Sequence, residues 1–207
     1  MTERSDVDLM LAFQAGDESA FSALLQRHRD AVVSLTYRYL GNREDAEDLA
    51  QEIFLKIYRA RSRYRPEAKF TTWLYRISVN ACLNEVRNRR NRPTFRAASL
   101  HPSDDGDAAP ALEDARSESP AAAVERTELR RQVRGAVDSL PERQRLALLL
   151  NKFHGLSYEE LAQALDLSLQ AVKSLLTRAR QNLRRRIEPR LGAGAAHPRR
   201  IPEGESA

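Results

Sequence analysis

Apolar residues recur three and four positions apart along most of this chain, in stretches separated by short polar breaks. This spacing is typical of amphipathic helices. One stretch begins after Asp17 and a second after Asn42, both of which are residue types that cap helix N-termini. A third begins where Thr71 or Thr72 can cap it and runs to Pro93. Alternating runs typical of strands are missing, as are hairpin turns between apolar runs. The pattern therefore predicts an all-α fold.

The most informative stretch is 157–186. Ser157 and Glu160 form a capping box that starts a short helix, and Ser168 can cap a longer one after a tight turn. Apolar positions of the longer helix are Val172, Leu175, Leu176, Ala179 and Leu183. Its predicted outward positions are Gln170, Lys173, Ser174, Thr177, Arg178 and Gln181. A polar, basic outer face favours a helix-turn-helix whose second helix enters the DNA major groove. The alternative is an ordinary helical hairpin with a solvated face.

Composition excludes several classes of protein. The 207 residues suit two small domains or one medium one. With 30% charged residues and a mean hydropathy of −0.59, the composition is not that of a membrane protein. The single cysteine, Cys82, excludes an internal disulfide and fits a reducing cytoplasm. A pI of about 9.6 suggests a polyanionic partner.

The distribution of charge along the chain is more informative than the net charge. Residues 1–95 contain 16 Lys and Arg against 13 Asp and Glu, whereas 96–124 contain 2 against 6 and 125–191 contain 14 against 8. The acidic connector is rich in Ala, Pro and Ser, which predicts a disordered linker. We therefore expect two small helical domains, at 8–95 and 125–190, joined by a flexible acidic linker at 96–124 and followed by a disordered tail at 191–207.

Aromatic and cationic residues alternate between positions 58 and 76. Cations bind phosphates and aromatic rings stack on unpaired bases, so this composition is typical of single-stranded nucleic acid binding. Trp73, which lies early on its helix beside a basic loop, is the member for which we favour a functional role. Tyr58 and Tyr75 are equally compatible with core packing.

An acidic run occupies the preceding helix, with Asp45, Asp48 and Glu52 near one face. It is either a solvated face or a docking surface for a basic partner. No E-x-x-H spacing accompanies it, so the sequence predicts no metal site. The four histidines are scattered and no catalytic set or phosphate loop is present, which predicts a protein that is not an enzyme and needs no cofactor. Cys82 fits a small buried hydrophobe.

These residues, in this order, resemble the extracytoplasmic-function (ECF) group of sigma-70 transcription initiation factors, most of all the envelope-stress type. The resemblance covers about 8–93, the family's region 2, and 125–188, its region 4. The stretches that carry it are EDAEDLAQEIFLKIY at 44–58, KFTTWLYRISVNA at 69–81, LPERQRLA at 140–147, GLSYEELA at 155–162 and AVKSLLTRAR at 171–180.

The resemblance implies three functional surfaces. The stretch that docks on the beta-prime clamp helices of core RNA polymerase corresponds to Asp45, Asp48, Leu49, Gln51, Glu52 and Phe54. The part that melts and reads the minus-10 element corresponds to Lys69, Phe70, Trp73, Arg76 and Asn80. A loop near 63–69 would receive a flipped base. The positions that contact the minus-35 element correspond to Lys173, Ser174, Thr177 and Arg178.

Further partners follow from the same resemblance. It implies contact with the polymerase beta flap, binding to promoter DNA, and control by an anti-sigma factor that is often membrane-anchored. The protein would be cytoplasmic, associated with the nucleoid when bound to polymerase or held at the inner membrane by its inhibitor. Position 175 departs from the family pattern, since Leu stands where relatives often carry Arg. We also hypothesise that the acidic linker imitates nucleic acid in the polymerase cleft.

Two other classes of function remain open at this point. A plain helix-turn-helix regulator would use its N-terminal block to sense a ligand or to dimerise. A DNA recombinase would need a nucleophilic Ser or Tyr clustered with Arg on an α/β domain, and the N-terminal half offers no strands for one.

Overall fold

The structure is a computed structural model that describes residues 4–91 and 120–194. Within these ranges the chain forms eight α-helices, one 3-10 turn and no strand, which confirms the all-α prediction. The helices are α1 (Asp6–Gln14), α2 (Glu18–Leu40), α3 (Arg43–Arg59), α4 (Phe70–Asn91), α5 (Pro120–Asp138), α6 (Glu142–Phe153), α7 (Tyr158–Leu165) and α8 (Leu169–Gly194). Most of the predicted linker (96–119) and of the predicted tail (195–207) lies outside the described residues. Residues 120–124 and 191–194, predicted to be irregular, are helical.

Polar caps set the helix boundaries as their residue types predict. The Asp17 carboxylate accepts hydrogen bonds from the first backbone N–H groups of α2, which ends at Gly41 with a φ of +82°. This left-handed conformation suits glycine because it lacks a Cβ. The Asn42 side chain then accepts from Asp45 N at 3.0 Å and starts α3. The predicted start of a new helical stretch after Asn42 is confirmed.

The predicted threonine cap of α4 is wrong. The helix already begins at Phe70, and the Thr72 backbone N–H donates to the Lys69 carbonyl at 3.0 Å. Thr71 and Thr72 therefore lie inside the first turn. Phe70 and Thr72 are both buried, so we attribute the start of this helix to packing. Neither threonine lies at the capping position that the sequence predicted.

Two helical groups build the fold. Helices α1 to α4 pack around one another, and the buried Thr36 hydroxyl joins α2 to α3 by donating to the Ala46 carbonyl at 2.9 Å. Helices α5 to α8 form the second group, in which α8 packs on α5, α6 and α7. The two groups also touch, because α4 packs against α7 and α2 against α6. In the described ranges we find no helix with the length and apolarity that a membrane crossing requires.

Candidate protein-docking and nucleic-acid interface

Three of the six predicted docking residues on α3 are available to a partner. Asp48, Gln51 and Glu52 are exposed, and Glu52 makes an i,i+4 ion pair with Lys56 at 2.7 Å. Exposed pairs of this kind contribute little to stability and exchange easily. The acidic end of α3 is its N-terminus, where the helix dipole stabilises carboxylates. An accessible anionic surface results.

The other three residues hold this surface in place. Leu49 and Phe54 are buried, at 4% and 6% exposure. Asp45 is half-buried and accepts an ion pair from Arg89 of α4 at 2.8 Å, while Arg89 also contacts Glu85 at 2.7 Å. Asp45 therefore clamps α3 to α4 in this structure.

An apolar groove of about 340 Å³ runs beside the acidic face, between α2 and α3. Phe54 and Leu55 both line it, and Leu55 is 54% exposed. The apolar lining is completed by Phe21, Leu25, Val33, Ala50 and Tyr58. A hydrophobic groove flanked by carboxylates can accept an amphipathic helix with basic residues.

The predicted minus-10 residues form a row along α4. Spacings of four, three and four residues place Lys69, Trp73, Arg76 and Asn80 on one helical face. Lys69, Arg76 and Asn80 are exposed and Trp73 is half-buried. The row presents two cations, an amide and an aromatic ring, which are the groups that bind phosphates and stack on bases.

Phe70 lies underneath this row, at 2% exposure. Its ring centroid is 6.1 Å from that of Trp73, 6.2 Å from that of Tyr64 and 5.3 Å from that of His28. Tyr64 in turn meets Trp73 edge-on at 5.2 Å. Phe70 therefore supports Trp73 from below. Burial also raises the pKa of the Tyr64 phenol.

Helix α1, which the sequence reasoning missed, fastens the basic loop that precedes α4. The Gln14 side-chain amide donates to the Arg61 carbonyl at 2.5 Å and to the Tyr64 carbonyl at 3.1 Å. Arg61 also lies over the ring of Tyr58, 4.8 Å from its centroid. A capping box formed by Ser5 and Asp8 starts α1 and was the available signal in the sequence.

The helix-turn-helix is confirmed by its local geometry. Ser157 and Glu160 cap each other reciprocally, and α7 ends at Asp166 in the left-handed region, with a φ of +54°. The Ser168 hydroxyl accepts from the Ala171 backbone N–H at 3.2 Å, which caps α8 as predicted.

The outer face of α8 also matches its prediction. Lys173, Thr177 and Arg178 are exposed and Ser174 is half-buried, while Val172 and Leu176 are fully buried. Leu175 is half-buried against the apolar core. The helix therefore presents a short polar and basic row to solvent.

Within the described residues we looked for candidate metal sites and for a reactive thiol. It contains no group of three or more His, Cys, Asp or Glu that could hold a metal ion. Cys82 is fully buried, and burial raises the pKa of its thiol to about 12, which makes it a poor nucleophile.

Comparison with known proteins assigns a family region to each of the two helical groups. Residues 24–92 match "Sigma-70 region 2" and residues 130–183 match "Sigma-70, region 4". The chain is 34% identical to the RNA polymerase sigma-H factor of Pseudomonas aeruginosa over 92% of this chain and 98% of that one. It is 35% identical to the ECF RNA polymerase sigma-E factor of Escherichia coli K12 over 89% of this chain and 95% of that one.

A solved structure agrees with these relatives. CnrH, in complex with the cytosolic domain of CnrY, matches with a TM-score of 0.61 and 25% identity over 93% of this chain and all of that chain. Two family regions in the family's order, and identities above 30% along nearly the whole length, lead to one conclusion. The chain belongs to the sigma-70 family of RNA polymerase sigma factors and is of the ECF type.

Proposed function

We propose that this sigma factor docks on core RNA polymerase through α3, captures the minus-10 element on α4, and reads the minus-35 element with α8. The observation that carries the proposal is the row on one face of α4, in which Lys69, Arg76 and Asn80 are exposed and Trp73 is half-buried. It lies on the same polypeptide as a separate helix-turn-helix with its own exposed basic row.

The docking contact combines charge and apolar burial. Asp48 and Glu52 offer carboxylates to basic residues of the beta-prime clamp helices, and Gln51 adds hydrogen-bonding capacity. The neighbouring groove accepts apolar side chains of the same helices. Leu49, Phe54 and Asp45 act on this contact indirectly, by fixing the position of α3 against the rest of region 2.

Promoter opening follows from base capture and needs no fuel. Stacking on an aromatic side chain contributes ~1–3 kcal/mol per base, which is comparable to the few kcal/mol that unstacking a base costs. Trp73 supplies the stacking face, Lys69 and Arg76 hold phosphates, and the loop fastened by Gln14 receives a flipped base. Phe70, at 2% exposure, contributes to the minus-10 surface by supporting Trp73 from below.

The minus-35 element is read in intact duplex. Lys173 and Arg178 present donors to base edges and phosphates, and Ser174 and Thr177 lie between them on the same face. We expect the segment 8–95 to carry core and minus-10 binding and 125–190 to carry minus-35 binding. The 24 residues 96–119 could span about 80 Å when fully extended. Polymerase, which also meets region 4 through its beta flap, would fix the spacing.

Regulation would come from a protein inhibitor. CnrH was solved with the cytosolic domain of another protein, CnrY, and an anti-sigma factor is the corresponding partner that we propose here. Such an inhibitor would hold the protein in the cytoplasm, at the inner membrane when it is membrane-anchored. The protein would perform no catalysis of its own and would lend specificity to the polymerase.

Binding to promoter DNA with and without polymerase separates this proposal from a plain regulator. A sigma factor binds its promoter duplex feebly alone and tightly with core polymerase, whereas a regulator binds equally well in both conditions. A fluorescently labelled promoter fragment, titrated with the protein in the presence and absence of core enzyme, makes the comparison. Equal affinities in the two titrations would refute the proposal.

A further inference from the structure

A buried histidine of α2 contacts the aromatic residues that support Trp73. His28 is 9% exposed, and its ring centroid lies 5.3 Å from that of Phe70, with the two ring planes tilted by 48°. Its Nε2 lies 2.8 Å from a carboxylate oxygen of Asp6, at the start of α1. Burying a polar side chain costs folding free energy unless it is hydrogen-bonded, and Asp6 supplies that bond. His28 therefore connects α1 to the rings beneath the row on α4.

The Asp6 carboxylate fixes the angle of this imidazole ring. One of its oxygens accepts from His28, and the other accepts from the Arg27 guanidinium. An ionised carboxylate can only accept, so Nε2 of His28 carries the proton in this contact. The χ2 torsion of histidine has a broad energy profile, and rotamer preference alone leaves the ring angle open. The hydrogen bond to Asp6 therefore sets the face that His28 presents to Phe70.

Helix α1 reaches the same group of rings from its other end. The Gln14 amide donates to the Tyr64 carbonyl at 3.1 Å, and the Tyr64 ring meets Trp73 at 5.2 Å. The Tyr64 hydroxyl is buried without a hydrogen-bond partner among the described residues, so packing and the backbone position this ring. Asp6 and Gln14 are eight residues apart, about 12 Å along a helix. Both rings that flank Trp73 are thus tied to α1, one of them through His28.

The angle of the Trp73 ring matters for base capture. Aromatic rings attract one another in a limited set of offset and edge-on arrangements, so a tilted ring loses part of its stacking energy. Trp73 is half-buried, and the Phe70 centroid lies 6.1 Å from its own. A displacement of Phe70 would therefore be passed to Trp73. Phosphate contacts from Lys69 and Arg76 tolerate such a displacement better, because both side chains are long and exposed.

We propose that His28, held by Asp6, is a positioning residue for Trp73 that acts through Phe70 when minus-10 bases are captured. The inference rests on the proposed function of the row on α4. His28 is buried and acts by fixing Phe70, without a contact to DNA. It lies on α2, apart from the exposed carboxylates of α3, so its effect on promoter opening is separable from polymerase binding.

A double-mutant cycle tests this series of contacts. His28→Ala removes the ring that packs on Phe70, and Asp6→Ala removes the carboxylate that orients it. We expect each variant to weaken binding of a single-stranded minus-10 oligonucleotide to the holoenzyme roughly tenfold, the order that one stacked base contributes. The double variant should lose no more than His28→Ala alone, because Asp6 acts through His28. Fluorescence anisotropy measures these affinities, and affinity for core polymerase should stay unchanged.

The position of Trp73 can be followed without DNA. Trp73 is the only tryptophan in the chain, so the intrinsic fluorescence of the free protein reports its surroundings. We expect a red-shifted emission and stronger quenching by acrylamide in His28→Ala and in Asp6→Ala. The double variant should match His28→Ala. A role of His28 in stability alone would leave the emission of the folded protein unchanged.

Two controls separate positioning from other effects. Arg27→Ala removes the other partner of the Asp6 carboxylate, from the residue next to His28. Thr36→Val removes a buried hydrogen bond two turns further along α2, and so controls for lost stability. Both controls should keep the wild-type Trp73 emission and the wild-type affinity for the oligonucleotide.

Unchanged Trp73 emission in His28→Ala would overturn the inference, as would additive losses in the double variant or an equal loss in either control. If His28→Ala does not fold, Asp6→Ala carries the test by itself, since Asp6 is not part of the apolar core. The fluorescence of the free protein decides the inference even if the wild-type holoenzyme does not bind the oligonucleotide. In that case it is the proposed function that fails.

Discussion

The hydroxyl of Tyr75 and Nδ1 of His154 lie 3.0 Å apart, although 79 residues separate them in the chain. Burial raises the pKa of Tyr75 to about 12, and burial together with the nearby Arg38 guanidinium lowers the pKa of His154 to about 4. Both side chains are therefore neutral at pH 7. Protonation of His154 would place a positive charge in this buried contact.

This pair predicts a pH dependence of stability. The folded pKa of His154 lies below its ordinary value of 6.5, so the unfolded chain binds a proton first as the pH falls. Stability should be lost progressively between about pH 6.5 and about pH 4, by at most about 3.5 kcal/mol at 1.4 kcal/mol per pKa unit. Denaturant unfolding at pH 7 and pH 5 measures this, with His154→Gln as the comparison. An equal loss in both proteins would contradict the assignment.

The acidic face of α3 should be necessary for polymerase binding. Asp48→Arg reverses an exposed charge on this face, so we expect at least a tenfold loss of affinity for core polymerase with little change in unfolding temperature. Asp30→Arg is the matched control, since the Asp30 side chain is 96% exposed on α2. Co-purification with core polymerase compares the two variants. The docking assignment fails if both bind alike.

Gln14 should matter for promoter opening because its amide holds the loop before α4 in place. Each of its two hydrogen bonds contributes about 0.5–1.5 kcal/mol. We therefore expect Gln14→Ala to weaken binding of a single-stranded minus-10 oligonucleotide to the holoenzyme by roughly tenfold, while polymerase affinity stays unchanged. Fluorescence anisotropy measures both, and the exposed Gln26→Ala serves as control. If Gln14→Ala binds the oligonucleotide as tightly as the wild type does, the position of the loop does not depend on Gln14.

The exposed row of α8 predicts a defect confined to the upstream element. Lys173→Ala with Arg178→Ala removes two cationic side chains, and each lost base-edge contact costs about 1–3 kcal/mol. Initiation should fall on a promoter with an intact minus-35 element and change little when that element is scrambled. Lys152→Ala, an exposed lysine on α6, controls for lost charge. Equal losses on both promoters would argue against sequence readout by α8.

Features held by residues close together in the sequence were predictable, whereas contacts between residues far apart in the sequence were not. The turn between α7 and α8 was predictable because Ser157, Glu160 and Ser168 act on backbone groups three residues away. The row on α4 was predictable from helical spacing. By contrast, the ion pair between Asp45 and Arg89 joins positions 44 residues apart, and no local sequence pattern indicates it.

The same limit explains what the site predictions could not resolve. The resemblance assigned both Phe70 and Trp73 to the minus-10 element. Packing against Tyr64 and His28 shows that Phe70 is buried, whereas Trp73 is half-buried. Helix α1 was missed although a capping box marks its start. The contact of α4 with α7 depends on complementary shapes across a linker and leaves no periodic signal.

Start-site selection by a polymerase that lacks its own specificity subunit tests the central claim most directly. Core enzyme is mixed with this protein and genomic DNA fragments, and the 5′ ends of the transcripts are mapped. The account predicts initiation at a small set of sites that share two conserved elements about one and a half helical turns apart. Transcripts that start at the same positions with and without the protein would contradict it.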